Sequence, residues 1–374
     1  MIKVVEAISD GNIGGAGVVL LNRLEHSDRK NYKTTVVLPR GSMLVPRLKK
    51  LGVEFVEVDC QADRSFFVGD IPKLISIIKK LDPVIINSHG WLSFRIAALL
   101  KNVKIRLYTS HCLFPNKKWQ SNTLCKAIFS FCTNLLSHRI IAVADVVKKD
   151  LTSKGIDEKK ITVVINGVPK VKIIDEKEAE NLKRKLYIPE NTSIVCISAR
   201  LEVYKGHRCL LRAMKILIEK GIKVKCLLLG DGSDRHELEG LASSLGINND
   251  VIFLGFVSDV APYLNISNVN VNCSVGTETS SLALSEGMSI GLPAVVSDFG
   301  GNPYMVRDGE NGFVFTQNDH DELAEKILLL LNDKEIYSYQ SAMAKKRYAE
   351  EFDSKLMTKK IEKLYGELLK NKKL

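Results

Sequence analysis

Several clusters in the second half of the 374-residue chain set charged side chains and glycines at the ends of apolar runs. Arg200 and Lys205 lie five residues apart in ISARLEVYKGH, where a β-branched apolar run ends and a loop precedes a helical one. Cations there sit at the carboxyl edge of a parallel sheet, where such folds take ligands, and about two of them can balance a diphosphate without a metal. By themselves the two read equally well as solvated surface charges. Gly230, Asp231 and Gly232 follow VKCLLL; glycine there lets backbone come close to a base or ribose, and an ordinary turn uses the same residues. Glu278 and Glu286 have seven residues between them, with a helix expected from about Leu282. A carboxylate accepts paired hydrogen bonds from vicinal hydroxyls, which a ribose and a hexose both offer. The amides around Ser281 and Leu282 open that helix and can seat phosphate oxygens. Two glutamates in a helical stretch are more often plain surface charges, so their spacing alone does not decide. The last cluster, GLPAVVSDFGGNPYMVRDGENGFVF, sets glycine-rich loops on both sides of a strand, as backbone closing over a ligand would require.

The first half has its own candidates. GNIGGAG, Gly11 to Gly17, follows the first strand and precedes a helix, the place for a loop that approaches phosphate or acceptor; it lacks the GxGxxG spacing of a dinucleotide fingerprint. His89 in NSHGW and His111 in YTSHC each end a strand. A lone histidine is usually structural, but two at the carboxyl ends of neighbouring parallel strands share one edge. PNKKWQSNTLCKAIFSFCTNLLSH mixes Lys117, Lys118 and Lys126 with Trp119, Phe129 and Phe131. It reads either as an interfacial membrane helix or as a helix whose Ala127, Ile128, Phe131 and Leu135 form a core face. Asp319, His320 and Asp321 spell the DxD metal motif, yet they stand just before a helical apolar run, where helix capping accounts for them. No metal and no cofactor is expected.

These residues must be held by alternating elements. IKVVEAIS, KTTVVLP, EFVEVD, VIINSH, KIRLYTSH, RIIAVAD and KITVVING are short strands, several separated by helical segments near Val18 to His26, Ile71 to Leu81 and Phe94 to Lys101, a βαβ pattern that implies a parallel sheet. A second series runs SIVCISARL, VKCLLLGDG, VIFLGF, VNVNCSV, PAVVSD and GFVFT. Between them DEKEAENLKRKLYIPE breaks the apolar periodicity. The expected organisation is α/β with two Rossmann-like domains: residues 1–170, residues 171–350, and a terminal helix, 351–374, packing back on the first.

Apolar residues at 45% and charged residues at 26% are a globular composition and exclude disorder for most of the chain. Residues 1–170 hold 27 Lys and Arg against 14 Asp and Glu, a net +13, whereas residues 171–374 hold 27 against 29, a net −2. A one-sided field of this kind suits an anionic membrane surface or a phosphate-bearing acceptor, and nothing in the chain resembles a module that reads nucleic acid. The eight cysteines form no CxxC pair and are expected to be reduced core thiols of a cytosolic protein. The opening apolar run is too short for a secretory signal, and no run nears the roughly 18 apolar residues of a membrane span. A cytoplasmic protein, peripheral at the inner face of the cell membrane, is expected.

SSLALSEGMSIGLPAVVSDFGGNPYMVRDGENGFVF resembles the signature region of family 4 glycosyltransferases, and ISARLEVYKGH, LLLGDG, VIFLGFVSD and the EX7E spacing of Glu278 and Glu286 follow in the family's order. The resemblance implies the GT-B fold, two Rossmann-like domains facing each other across a cleft, and a retaining, metal-independent hexosyltransferase. It implies that Arg200 and Lys205 hold the diphosphate, that Glu278 holds hydroxyls of the donor sugar and that Glu286 holds the ribose. Ser281, Leu282, Gly230, Gly232, Phe256, Gly14 and Gly15 join the donor-binding set, the last two as the GG loop. His111 is implied near the donor sugar as a catalytic residue and His89 near the acceptor. Thr279, Ser280 and Ser281 depart from the glycine-containing family pattern after the first glutamate. The expected reaction moves a hexose or N-acetylhexosamine from a nucleotide sugar, a UDP-sugar ahead of a GDP-sugar, to a lipid-linked or growing saccharide in cell-surface polysaccharide assembly. A sugar-nucleotide epimerase and a non-catalytic nucleotide-binding subunit are the competing readings.

Overall fold

The computed structural model describes residues 1–113 and 123–372 and divides into two compact units, Met1–Val168 with Ser354–Leu374 and Pro169–Asp353. The first unit runs β1 (Ile2–Ile8), α1 (Gly15–Glu25), β2 (Tyr32–Pro39), α2 (Val45–Leu51), β3 (Glu54–Val58), α3 (Ile71–Leu81), β4 (Ile85–His89), α4 (Leu92–Leu100), β5 (Ile105–Ser110), α5 (Thr123–Leu136), β6 (Arg139–Ala142), α6 (Asp145–Ser153) and β7 (Ile161–Val163). Its strands pair in the order β3-β2-β1-β4-β5-β6-β7, all parallel. The chain first builds outward through β2 and β3, then returns to lay β4 on the other side of β1. Such a reversal opens a crevice at the carboxyl ends of β1 and β4, the usual ligand position of an open α/β sheet.

The second unit repeats the plan with α7 (Glu176–Lys185), β8 (Ser193–Ser198), α8 (His207–Glu219), β9 (Val224–Leu229), α9 (Arg235–Ser244), β10 (Val251–Gly255), α10 (Ala261–Ile266), β11 (Val269–Asn272), α11 (Leu282–Ile290), β12 (Ala294–Ser297), α12 (Asn302–Met305), β13 (Gly312–Phe315), α13 (His320–Asn332) and α14 (Lys334–Arg347). The strand order β10-β9-β8-β11-β12-β13 is again wholly parallel, with its reversal between β8 and β11. Both sheets are covered on two faces, so central strands such as β4, β5 and β11 are buried along their whole length. Val195, Leu228 and Val295 pack beneath α8 and α13, while Ile194, Cys196 and Leu227 face α7 and α10.

The last helix, α15 (Ser354–Asn371), belongs to the first unit. Its Glu362 Oε1 accepts from the Asp28 amide at 2.8 Å, and Tyr365 meets the Tyr32 ring edge-on at 5.8 Å. With α15 included, the first unit carries 33 Lys and Arg against 16 Asp and Glu, a net +17, and the second 21 against 27, a net −6. The charged stretch after residue 170 forms α7, which buries no residue and is capped by Asp175.

Two sequence expectations are corrected. Helix α1 begins at Gly15 instead of Val18, because extended Gly14 serves as its N-cap and draws the GG loop into the helix start. The cysteines are not uniformly core thiols: Cys196, Cys209, Cys226 and Cys273 are buried, but Cys112 and Cys132 are exposed.

Candidate functional site

In the second unit, the loops after β8 and β11 meet where the sheet reverses. Lys205 Nζ lies 2.8 Å from Glu278 Oε2, and both side chains are largely buried. The same oxygen accepts from Asn272 Nδ2 at 3.1 Å and Ser274 Oγ at 3.0 Å. Asn272 and Ser274 stand two residues apart at the end of β11, so extended backbone turns both to one side. Three donors on Oε2 fix the carboxylate, and among the described residues none reaches Oε1. That oxygen keeps lone pairs for a hydroxyl. Tyr204 gathers the second cation: Arg200 Nη2 donates to its hydroxyl at 2.6 Å, while Arg200 Cζ and Lys205 Nζ stand 5.9 and 5.8 Å from its ring centroid.

The glycines pack against the segments that carry the charged residues. A Cβ on Gly230, at φ +149°, would fall 1.9 Å from the Ala199 carbonyl oxygen, and one on Gly232 would fall 2.3 Å from that of Leu201. Both approach the segment that carries Arg200 closely and lock it in place. Likewise, a Cβ on Gly300 would meet the Glu278 carbonyl oxygen at 2.3 Å and one on Gly301 that of Thr279 at 1.7 Å. The loop SDFGGNP therefore closes over the backbone of Glu278 and Thr279.

Ser281 is the N-cap of α11; its Oγ accepts from the Leu284 amide at 3.4 Å, and its own amide donates to Met305 Sδ at 3.1 Å. The Ser281 amide is thereby withdrawn from the expected phosphate seat, and the first-turn amides of Leu282 and Ala283 are left for that purpose. Glu286, further along α11, lines a cavity of about 680 Å³ together with Lys170, Lys172, Lys185, Ser258 and Asp259. Burial, and then the charge of Asp259, raises its carboxyl to about 7. No hydrogen bond or ion pair joins Glu286 to the Lys205–Glu278 pair among the described residues. Phe256 follows β10 and is 73% exposed.

In the first unit, Gly14, His89 and His111 stand at the carboxyl ends of β1, β4 and β5, which are neighbours in the sheet. Glu6, within β1, is wholly buried; its Oε1 accepts from Arg23 Nη1 and from the Tyr365 hydroxyl at 2.9 Å, its Oε2 from Asn87 Nδ2 at 3.0 Å and His89 Nε2 at 2.8 Å. His89 Nδ1 lies 2.8 Å from His111 Nε2. Burial opposes the Glu6 charge, but Arg23 and the bonds from His89 and Tyr365 hold its carboxyl below the ordinary value. Burial, then His89, holds the His111 ring well below the usual histidine range. The expectation that His89 meets an acceptor is revised: both of its ring nitrogens are engaged inside the unit, so it stands behind His111.

Helix α5 does not present the core face that was one of its two readings. Ile128, Phe131 and Leu135 are 54%, 69% and 50% exposed, so they are no core face; Lys117, Lys118 and Trp119 lie outside the described residues. Asp319 caps α13 by accepting from the Glu322 amide at 2.9 Å, the capping role its place before the apolar run suggested.

Sequence reasoning passed over Glu6, Arg23, Tyr204, Asn272, Ser274 and Tyr365. Of these only Glu6 carried a signal, a lone carboxylate inside an apolar parallel strand, which costs free energy unless several donors meet it.

Two family models match most of the chain: Glycosyl transferases group 1 over residues 178–347 and Glycosyltransferase Family 4 over residues 13–170. The chain is 27% identical to the Staphylococcus aureus capsular polysaccharide biosynthesis glycosyltransferase CapM, over 94% of each chain. It is 25% identical to the Escherichia coli UDP-Gal:alpha-D-GlcNAc-diphosphoundecaprenol alpha-1,3-galactosyltransferase, over 96% of this chain and 97% of that one. Among solved structures, Anabaena HepE in complex with UDP aligns with a TM-score of 0.86 over 98% of this chain and all of its own, at 20% identity. A Rickettsia africae glycosyltransferase aligns at 0.82 over 99% of both chains, at 22% identity. The fold is of the GT-B kind, built from two parallel-sheet, Rossmann-like units.

Proposed function

Since the chain belongs to the family 4 glycosyltransferases and is an enzyme that uses a nucleotide sugar, we propose that it moves a hexose or N-acetylhexosamine from a UDP-sugar to a lipid-linked or growing saccharide in cell-surface polysaccharide assembly, with retention at the anomeric carbon. The observation that carries the reading is the meeting of Lys205, Arg200 and Glu278 around Tyr204. In this reading the bond from the anomeric carbon to the diphosphate oxygen breaks, and the charge left on the phosphate is met by Arg200, Lys205 and the Leu282 and Ala283 amides of α11. Donors fixed before reaction need no reorganisation as that charge develops. Glu278 Oε1 accepts from hydroxyls of the donor sugar, Glu286 takes the ribose, and His111 is the catalytic residue that the first unit supplies in this reading. No metal is part of the proposal, because two cations and a helix start match the charge of a diphosphate.

The names of the S. aureus and E. coli relatives support a saccharide acceptor, the latter carried on a polyprenyl diphosphate. Work on an acceptor of that type would bring the enzyme to a membrane face. Support for peripheral attachment comes from the net +17 of the first unit and the exposed Ile128, Phe131 and Leu135 stripe of α5; no helix among the described residues is long and apolar enough to cross a membrane.

The deciding experiment incubates the protein with UDP-glucose, UDP-galactose, UDP-N-acetylglucosamine and GDP-mannose, each with an undecaprenyl-diphosphate-linked sugar. Proton NMR of the product should show an α linkage from an α donor. Release of a free altered sugar without acceptor would instead identify an epimerase.

A further inference from the structure

The stretch from Glu278 to the start of α11 carries polar groups whose partners are weak or missing. Ser281 donates its amide to Met305 Sδ at 3.1 Å, and a thioether is a weak acceptor. The Ser281 hydroxyl accepts from the Leu284 amide at 3.4 Å, but among the described residues nothing accepts its own hydrogen. Beside it Ser280, only 8% exposed, has a buried Oγ with no partner among the described residues. Buried polar groups left in this condition cost free energy, and a segment that keeps them calls for an explanation such as a ligand that completes the bonding.

Met305 is built to release its donor. It is 1% exposed and its main chain is clamped from two sides, the carbonyl oxygen accepting from Arg347 Nε at 3.0 Å and from Asn311 Nδ2 at 3.1 Å. Its side chain is unbranched and has three rotatable bonds, so the sulfur can swing while the α12 backbone stays. We propose that Met305 is a positioning residue that keeps the Ser281 amide on its sulfur until the diphosphate of the donor displaces it. The inference rests on the reading that the first turn of α11 seats that diphosphate. After the exchange the Ser281, Leu282 and Ala283 amides point at phosphate oxygens, with the Ser281 hydroxyl as a fourth donor. A charged oxygen accepts more strongly than a neutral sulfur, so the exchange favours binding.

The test measures UDP binding by calorimetry in the unaltered protein, Met305→Leu and Met288→Leu. Leucine nearly keeps the volume and removes the acceptor. Met305→Leu should therefore bind UDP about three- to tenfold more tightly, the worth of one neutral hydrogen bond that no longer competes, while its melting temperature falls. Met288, whose sulfur meets Asn311 Nδ2 at 3.9 Å, is the control for loss of a core thioether: its variant should melt lower with UDP affinity unchanged. Backbone amide spectra of the unaltered ¹⁵N-labelled protein give a readout that does not depend on a variant folding. On addition of UDP the Ser281, Leu282 and Ala283 amide protons should all move downfield. Movement of Leu282 and Ala283 without Ser281, or a folded Met305→Leu that binds UDP no more tightly, would overturn the proposal and leave the phosphate seat standing. If UDP fails to bind, or binds and moves none of the three, the phosphate seat itself fails and takes the proposal with it.

Discussion

Lys205 and Glu278, 73 residues apart, form a largely buried ion pair at 2.8 Å across the point where the second sheet reverses. In this state the cation expected to hold phosphate is balanced by the carboxylate expected to hold sugar. Arrival of a diphosphate would shift Lys205 toward the phosphate and loosen its hold on Glu278.

That relationship separates the two residues experimentally. Lys205→Ala should weaken UDP binding at least about tenfold, the loss of one charge-assisted contact of about 1.5–3 kcal/mol. Glu278→Ala should leave UDP affinity within a few-fold while transfer falls below detection. Calorimetry with UDP and a transfer assay read the two effects, and equal losses of both in each variant would remove the division of labour.

Gly301→Ala places a methyl group 1.7 Å from the Thr279 carbonyl oxygen, so the loop holding Glu278 must move. A destabilisation of about 1–3 kcal/mol and a large loss of transfer are expected. Gly240→Ala, in α9 with nothing within 4 Å, should instead stabilise by about 0.5–1 kcal/mol and leave transfer unchanged. Denaturant unfolding of the two variants side by side checks the contrast.

Glu286 gives the enzyme a pH signature. Its carboxyl is raised from 4.5 to about 7 by burial and then Asp259, so between these values the native protein binds more protons than the unfolded chain. Stability then falls as pH rises through that window, and the loss is complete above about 7. Glu286→Gln should flatten the profile and exceed the unaltered protein at pH 8 by on the order of 1–3 kcal/mol. A profile identical in the two proteins would contradict the burial of this group.

If the basic first unit and the α5 stripe meet a membrane, co-sedimentation with vesicles should need anionic lipid. Binding should also weaken between about 0.05 and about 0.5 M salt, as the screening length shrinks from about 14 to about 4 Å. Phe131→Ser should reduce binding at every salt concentration, since it removes apolar contact instead of charge. Binding to neutral vesicles that ignores salt would assign the stripe a different partner.

Periodicity and composition pointed to the two parallel-sheet units, because strand runs, helix starts and strand-end loops are local features written in neighbouring residues, while the donor motifs and the family came from the resemblance of those motifs to family 4 glycosyltransferases. Periodicity also placed Arg200, Lys205, His89 and His111 at carboxyl strand ends, since a parallel sheet leaves no other edge for them. Which side chains meet there was decided only by tertiary structure. Lys205 reaches Glu278 because β11 returns beside β8, and Glu6 reaches Tyr365 because the last helix packs against the first strand's neighbours. The glycines show the same division: their special backbone was legible, but which carbonyl each would meet depended on segments 22 to 31 residues away. Contacts of this separation arise from sheet order, and order among parallel strands is set by packing of the whole unit rather than by any local run of residues.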